Sequence, residues 1–137
     1  MNILYIHGLN GSLSPEKQAI LERYGKVQAP SIDYEVNSDS TKWLHDKYKN
    51  TQLDVIIGSS MGGFSGYHLS KLLLRPALVF NPALASRSVF QNTPDTPETN
   101  GSAISIVLGA KDTVVDPKNT LKYLGDLLKQ PQDYHIS

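Results

Sequence analysis

Short, continuous apolar runs alternate with amphipathic segments along this chain, and polar turns that carry glycine or proline separate them. Such short runs are typical of strands that are buried on both faces of a parallel sheet. The strands predicted in this way cover residues 3–6, 27–32, 53–57, 77–80, 103–108 and 133–137. Because Pro30 interrupts the second strand, we expect that strand to lie towards an edge of the sheet.

Helices are predicted between the strands from start signals and from a period of 3.6 residues. In the first helix Ser14 is the expected N-cap and Pro15 the first residue, and the helix reaches Tyr24, with Gly25 following its end. Further helices are predicted after Asp39 or Ser40 and over residues 64–74 and 117–129. Their apolar positions are Trp43, Leu44 and Tyr48, then Tyr67, Leu69, Leu72, Leu73 and Leu74, and finally Leu121, Leu124 and Leu128.

Strands that alternate with helices at this spacing predict an α/β fold with a mostly parallel central sheet between two helical layers. At 137 residues the chain is long enough for one core, so we expect a single domain over residues 1–137. Residues 84–102 include a polar stretch rich in Thr, Pro and Asn, which predicts a loop or a reduced cap. A loop of this length usually lines a site or moves.

Composition narrows the classes of partner and cofactor. Lys plus Arg and Asp plus Glu number 13 each, so no net field favours nucleic acid or an anionic membrane. The chain has no cysteine, and its four histidines show no paired spacing, so we expect no metal site. We find no signal peptide and no apolar segment long enough for a membrane span, and we expect a cytoplasmic protein with a small-molecule or protein partner. Oligomeric state is left open.

The candidate chemistry begins where the strand at residues 53–57 ends. Gly58-Ser59-Ser60-Met61-Gly62 fits the Gly-x-Ser-x-Gly pattern between a strand and a helix, which is the setting of a nucleophile elbow. The frame selects Ser60 as the nucleophile. The glycines suit a turn in which strand and helix crowd together. The structural alternative for Ser60 is a turn serine that caps the following helix.

Further polar positions follow the carboxyl ends of the other predicted strands, where ligands of such sheets bind. Asp112 could orient a histidine as the acid of a triad, or it could cap the helix that starts at Pro117. Backbone amides of Leu9 and Met61 could form an oxyanion hole. The candidate substrate-binding positions are His7, Gly8 and Asn81, although His7 could instead anchor its loop and Asn81 could simply shape a turn.

These motifs together resemble the α/β-hydrolase superfamily, and more closely the small bacterial YqiA-type esterases. The resemblance rests on His-Gly after the first strand, Gly-Ser-Ser-Met-Gly-Gly at the elbow, Asn-Pro-Ala after residue 80 and Gly-Ala-Lys-Asp-Thr-Val-Val-Asp after residue 108. It implies a minimal hydrolase fold that starts at the strand before His7-Gly8. It also implies an esterase or thioesterase for small acyl esters that needs no cofactor, with Ser60 as nucleophile and Asp112 as acid.

The sequence departs from the pattern of this family at its C-terminal end. In the family the base histidine follows the last strand, whereas His135 lies within the segment that matches that strand. We therefore expect either a truncated chain, whose base would lie beyond Ser137, or recruitment of His135 as the base. Truncation is the favoured expectation.

Three functions are open at this point. The leading one is a serine carboxylesterase or thioesterase that works through an acyl-serine intermediate. An acyltransferase could use the same nucleophile. A non-catalytic binding protein with a hydrolase-like fold is the third, because no histidine has an obvious place beside Ser60.

Overall fold

A computed structural model describes residues 1–96, 102–127 and 134–137 of the chain. Strands and helices alternate along these residues, as the apolar pattern predicts. The strands are β1 (Asn2–Ile6), β2 (Lys26–Gln28), β3 (Val55–Ser59), β4 (Ala77–Phe80), β5 (Ile104–Val107) and β6 (Tyr134–Ile136). The helices are α1 (Pro15–Glu22), α2 (Ser40–Tyr48), α3 (Met61–Leu73) and α4 (Pro117–Leu127).

The six strands form one sheet in the order β2-β1-β3-β4-β5-β6, and every pairing between them is parallel. The strand near Pro30 lies at an edge, which confirms that expectation, although β2 is shorter than predicted and stops at Gln28. From β1 the chain crosses first to β2 on one side and then to β3 on the other. The carboxyl ends of β1 and β3 therefore flank the point where the strand order reverses, the usual ligand site of an open α/β sheet.

Helices cover both faces of the sheet, so the three-layer architecture is confirmed. One face buries alternate strand residues such as Leu4, Ile56 and Ile106 against α2, α3 and α4. The other face carries Ile3, Tyr5 and Ile57 against Leu21 of α1 and neighbouring residues. The larger core contains Leu44 and Tyr48 from α2, Phe64, Tyr67 and Leu69 from α3, and Leu124 from α4. None of the four described helices is both long and apolar enough to span a bilayer.

The first helix begins as predicted and ends earlier. The Ser14 side chain accepts a hydrogen bond from the backbone N–H of Lys17, and Pro15 is the first helical residue. The helix ends at Glu22, not Tyr24, and Gly25 does not cap it. A Cβ atom on Gly25 would lie 1.9 Å from the carbonyl oxygen of Met1. This glycine therefore lets the start of β2 approach the start of β1.

Three predicted apolar positions lie at the surface instead of in the core. Trp43 is 39% exposed, because it directly precedes the buried Leu44 and so points about 100° away from it around the helix. Leu121 is 47% exposed although it lies on the same side of α4 as the buried Leu124. Leu74 is the C-cap of α3 with a left-handed backbone (φ 55°), which turns it away from the core before Pro76. The predicted helix positions 128 and 129 and strand position 133 lie outside the described residues.

The described part of the predicted loop, residues 84–96, has no helix or strand but is firmly attached to the rest of the molecule. Gln91 is 2% exposed, and its amide nitrogen donates to the carbonyl oxygens of Tyr34 and Asn37, both at 2.8 Å. Its amide oxygen accepts from the Ser40 hydroxyl at 2.5 Å. The buried amide thus fixes this part of the loop against the start of α2. Residues 97–101 of the predicted loop lie outside the described residues.

Candidate active site

The junction of β3 and α3 holds Ser60 in a backbone conformation that L-residues rarely adopt, with φ 55° and ψ −114°. The surrounding glycines make this turn possible. A Cβ on Gly58 would lie 2.2 Å from the Gly62 carbonyl oxygen, and a Cβ on Gly62 would lie 2.1 Å from the Ile6 carbonyl oxygen. The close approach of β1, β3 and α3 therefore requires glycine at both positions, as the sequence predicts.

Backbone hydrogen bonds stabilise this strained residue, while its side chain has no hydrogen-bond partner among the described residues. The Ser60 N–H donates to the Phe80 carbonyl at 3.0 Å, and the Ser60 carbonyl accepts from the N–H groups of Phe64 and Ala83, also at 3.0 Å. The side chain forms no hydrogen bond at the start of α3. Ser60 therefore does not serve as a side-chain cap, and its hydroxyl remains available for other chemistry.

Ser60 opens into a cavity of about 550 Å³ at the point where the strand order reverses. Leu9 and Met61, the two residues predicted to supply oxyanion-hole amides, line the same cavity, as does Gly8. Within the described part of the chain, neither the Leu9 nor the Met61 N–H donates to a protein acceptor. A hydroxyl and two unpaired amides are thus brought to one cavity.

His7 lies behind this cavity and does not line it. Its Nε2 accepts a hydrogen bond from the Ile32 N–H at 2.9 Å, which requires the proton on Nδ1, and Nδ1 then donates to the Gly8 carbonyl at 2.6 Å. The Tyr34 hydroxyl donates to the His7 carbonyl at 2.6 Å, and burial raises the pKa of that phenol. The structure places His7 as an anchor for the Gly8-Leu9 loop, so its predicted contact with substrate is not supported.

Asn81 and Asp112 also lie at the carboxyl edge, and the side chain of each accepts hydrogen bonds from backbone N–H groups. The Asn81 side-chain oxygen accepts from the Gly109 N–H at 2.6 Å, which links the ends of β4 and β5. Asn81 does not line the Ser60 cavity, contrary to its predicted role in substrate binding. One Asp112 carboxylate oxygen accepts from the N–H groups of Val114 and Val115 at 2.8 and 2.9 Å. Both valines line the cavity, so Asp112 shapes one of its walls.

The four histidines of the chain all lie in described segments, and none of them contacts Ser60 or Asp112. His135 is exposed on the edge strand β6, and its Nε2 lies 3.1 Å from the Ser137 hydroxyl. Since β6 is three strands away from β3, roughly 14 Å of sheet separates them. The structure therefore does not bring His135 to the candidate nucleophile. His45 lies on α2 beside Asp46.

His68 is buried in α3, with Phe64 and Tyr67 edge-on to its ring. Its Nε2 has no hydrogen-bond partner within residues 1–96, 102–127 and 134–137. Burial, aided by Lys71 and Arg87, lowers the pKa of His68 to about 3. A neutral ring in this position is a core residue.

Sequence reasoning missed the residues that the loop at 84–96 brings to the cavity. Ser86, Arg87 and Ser88 line it together with Ala83. Only the length and polarity of the loop indicated that it could border a site, and neither property selects individual side chains. In the described parts of the chain, no group of three His, Asp or Glu residues is arranged to hold a metal ion.

Comparisons with known proteins agree with this architecture. A family model described as "Uncharacterised protein family (UPF0227)" matches residues 2–103. A monoacylglycerol lipase of Paleococcus ferrophilus superposes with a TM-score of 0.63 at 11% identity, covering 99% of this chain and 83% of its own. An esterase of Pyrococcus furiosus gives 0.63 at 15% identity, with coverage of 99% and 72%.

A serine hydrolase of Xanthomonas campestris that is described as lacking a lid gives a TM-score of 0.53 at 18% identity, with coverage of 98% of this chain and 71% of its own. Identities this low establish a shared fold and nothing finer. The shared fold is that of the α/β hydrolases.

Proposed function

Because the chain belongs to the UPF0227 family and has the α/β-hydrolase fold, we propose that it is a serine hydrolase of small acyl esters or thioesters. The esterase and lipase activities named for its structural neighbours are consistent with this substrate class. The proposed partner is a small-molecule ester or thioester, and the proposal includes no nucleic acid. A cytoplasmic location is part of the same proposal.

The conformation of Ser60 is the observation that carries the proposal. Backbone strain of this kind lowers the stability of the folded state by about 1–3 kcal/mol. It persists where the surrounding structure holds the residue in place, and such sites are typically functional. Here it presents an unpaired hydroxyl to a cavity. A serine needed only to cap α3 would have no reason to adopt this conformation.

The geometry suits acyl transfer. The Ser60 hydroxyl would add to the ester carbonyl and lose its proton to a base, and the resulting oxyanion would accept hydrogen bonds from the N–H groups of Leu9 and Met61. Collapse of this intermediate would release the alcohol or thiol and leave an acyl-serine, which water would hydrolyse. The loss of one oxyanion donor typically lowers turnover by about 10²–10³.

The proton acceptor is the open part of the mechanism. None of the four histidines is hydrogen-bonded to Ser60, so we assign the base to none of them, His135 included. Asp112 remains our candidate acid, because the loop that it shapes borders the cavity. The same absence of a histidine contact favours one alternative, a binding protein that retains the elbow without turnover. An acyltransferase would share Ser60 and the acyl-serine.

Acyl transfer can be tested with 4-nitrophenyl acetate, whose leaving group needs little protonation. Because deacylation also needs a base, we expect an acetyl group to accumulate on Ser60 and to be found there by peptide mass spectrometry. Added imidazole, acting as an external base, should accelerate both acetylation and release. The Ser60→Ala variant is the control for acetylation of lysines. Acetylation that spares Ser60 under all these conditions would favour the binding protein.

A further inference from the structure

Arg87 is an unusual residue in the wall of the Ser60 cavity. It lies in the loop at residues 84–96, is half-buried, and lines the same cavity as Ser60, Leu9 and Met61. The other residues that this loop contributes to the wall are Ser86 and Ser88, which carry no charge. Among the described residues that line the cavity, Arg87 is the one with a formal charge.

The guanidinium is held at a fixed place relative to the nucleophile. Its Nη1 donates to the carbonyl oxygens of Ala83 at 3.1 Å and Leu84 at 3.0 Å. Its Cζ lies 4.2 Å from the centre of the Phe64 ring, which is a favourable stacking distance. Phe64 in turn donates its N–H to the Ser60 carbonyl, one helical turn after the nucleophile. The positive charge is therefore held by contacts with the backbone of its own loop and with a ring of α3, in the wall of the cavity that Ser60 also lines.

The charge has no counter-ion in the described structure. Ala83 and Leu84 supply neutral acceptors to one nitrogen, and the described residues provide no acceptor for Nε or Nη2. The ion pair found within the described residues is His45 with Asp46, on another element. Partial burial lowers the pKa of Arg87, while the neighbouring Tyr123 raises it. A guanidinium binds planar oxyanions through two parallel N–H donors, and two such donors remain here.

We propose that Arg87 binds an oxyanion of the substrate, so that the preferred substrates are acyl esters or thioesters bearing a carboxylate or a phosphate. The cleavage of the ester in this inference rests on the proposed function. The binding of an anion by Arg87 does not. The anion could belong to the acyl part or to the alcohol part of the ester. The shared chemistry is an anion that offers two oxygens to a fixed guanidinium in the wall of the cavity that Ser60 lines.

Binding of unreactive amide analogues by isothermal titration calorimetry tests the site without requiring turnover. Glutaranilate and valeranilide form one pair, with and without a carboxylate on the acyl side. N-acetyl-O-phosphoethanolamine and N-acetylethanolamine form the second pair, with and without a phosphate on the other side. We expect the anionic member of one pair to bind at least about tenfold more tightly than its neutral partner. The pair that shows this preference identifies the side of the substrate that carries the anion.

Variants of Arg87 decide whether this preference comes from the guanidinium. Arg87→Gln should remove the anion preference, and Arg87→Lys should retain part of it, because lysine keeps the charge and loses the planar two-donor geometry. Arg75→Gln is the matched control, since Arg75 also donates to two backbone carbonyls but is exposed and does not line the cavity. It should leave the preference unchanged.

The outcomes separate this inference from the proposed function. An anion preference that Arg87→Gln removes supports the site even if Ser60 is never acetylated. Acetylation of Ser60 without any anion preference overturns the site and leaves the hydrolase proposal standing. Equal weakening of the neutral and anionic analogues in Arg87→Gln would indicate a merely structural role for Arg87 and would also overturn the inference.

Discussion

Single residues at this site are explained best by what their side chains are already bound to. Ser60 has strained backbone angles and an unpaired hydroxyl, whereas both ring nitrogens of His7 are occupied by backbone groups. The side-chain oxygen of Asn81 is also occupied, because it accepts a hydrogen bond from the Gly109 N–H. Of these three residues only Ser60 keeps its side chain available for a substrate.

His68 gives a pH-dependent prediction at the same scale. In the folded chain the ring stays neutral down to a pKa of about 3, whereas in the unfolded chain a histidine binds a proton below about 6.5. Between these two pH values the unfolded state therefore binds more protons than the folded state. We expect His68 to lower the free energy of unfolding by up to about 1.4 kcal/mol per pH unit between these values.

Urea unfolding of the wild type and of His68→Phe between pH 7 and pH 3.5 measures this effect. The phenylalanine ring retains the aromatic contacts and removes the unpaired Nε2, so the variant should gain stability relative to wild type as the pH falls. His45→Gln, on the surface of α2, should follow the wild type. A constant difference between His68→Phe and wild type across this pH range would contradict the prediction.

The sequence identifies some of these residues and not others, for a physical reason. The sequence identifies Ser60 through the glycines around it, and the turn needs those glycines because a side chain there would collide with the backbone. The motif is therefore a direct consequence of the geometry of the turn. Arg87 lies in an irregular loop, where no repeating pattern of apolar positions fixes which side chains face a cavity. The anchoring role of His7 depends on Ile32 and Tyr34, which are distant in sequence.

At the scale of elements, the elbow depends on how closely β1, β3 and α3 approach one another. The sequence predicts the starts of α1 and α4 correctly, and at α1 the reason is that Ser14 and Pro15 act locally on the first turn, whereas α3 starts at Met61 and not at the predicted position 64. It predicts their ends and exposed faces less well, since these depend on packing partners. The loop at residues 84–96 shows the same limit, because the buried Gln91 that holds it binds Tyr34, Asn37 and Ser40.

Two glycine substitutions test the close approach. In Gly62→Ala the new Cβ would meet the backbone carbonyl oxygens of Ile6 and His7 at 2.1 and 2.5 Å, so strands must shift. We expect a loss of roughly 3 kcal/mol in the free energy of unfolding, measured by urea titration. Gly125→Ala is the control, because no described residue lies within 4 Å of its added Cβ in α4. It should stabilise the protein by about 0.5–1 kcal/mol.

A Gly62→Ala protein within about 0.5 kcal/mol of the wild type would show that the elbow tolerates a side chain there. In that case the close packing of the three elements would not be the reason for glycine at this position.

At the scale of the whole molecule, strand order decides which residues can cooperate. It brings the loop after β1 and the elbow after β3 together, and it leaves His135 on the far edge strand. The alternation of apolar and amphipathic segments predicts the parallel sheet and its layers, but not the order of the strands. For this reason the sequence can nominate Leu9, Ser60 and Met61 as one site and still leave the place of His135 open.

Fluorophosphonate labelling followed by peptide mass spectrometry tests the nucleophile most directly. The account predicts one adduct on Ser60, faster with added imidazole, absent in Ser60→Ala and unchanged in rate in His135→Ala. A chain that forms no adduct on Ser60 even with imidazole would contradict the central claim, whereas loss of the adduct in His135→Ala would contradict the exclusion of His135 as the base.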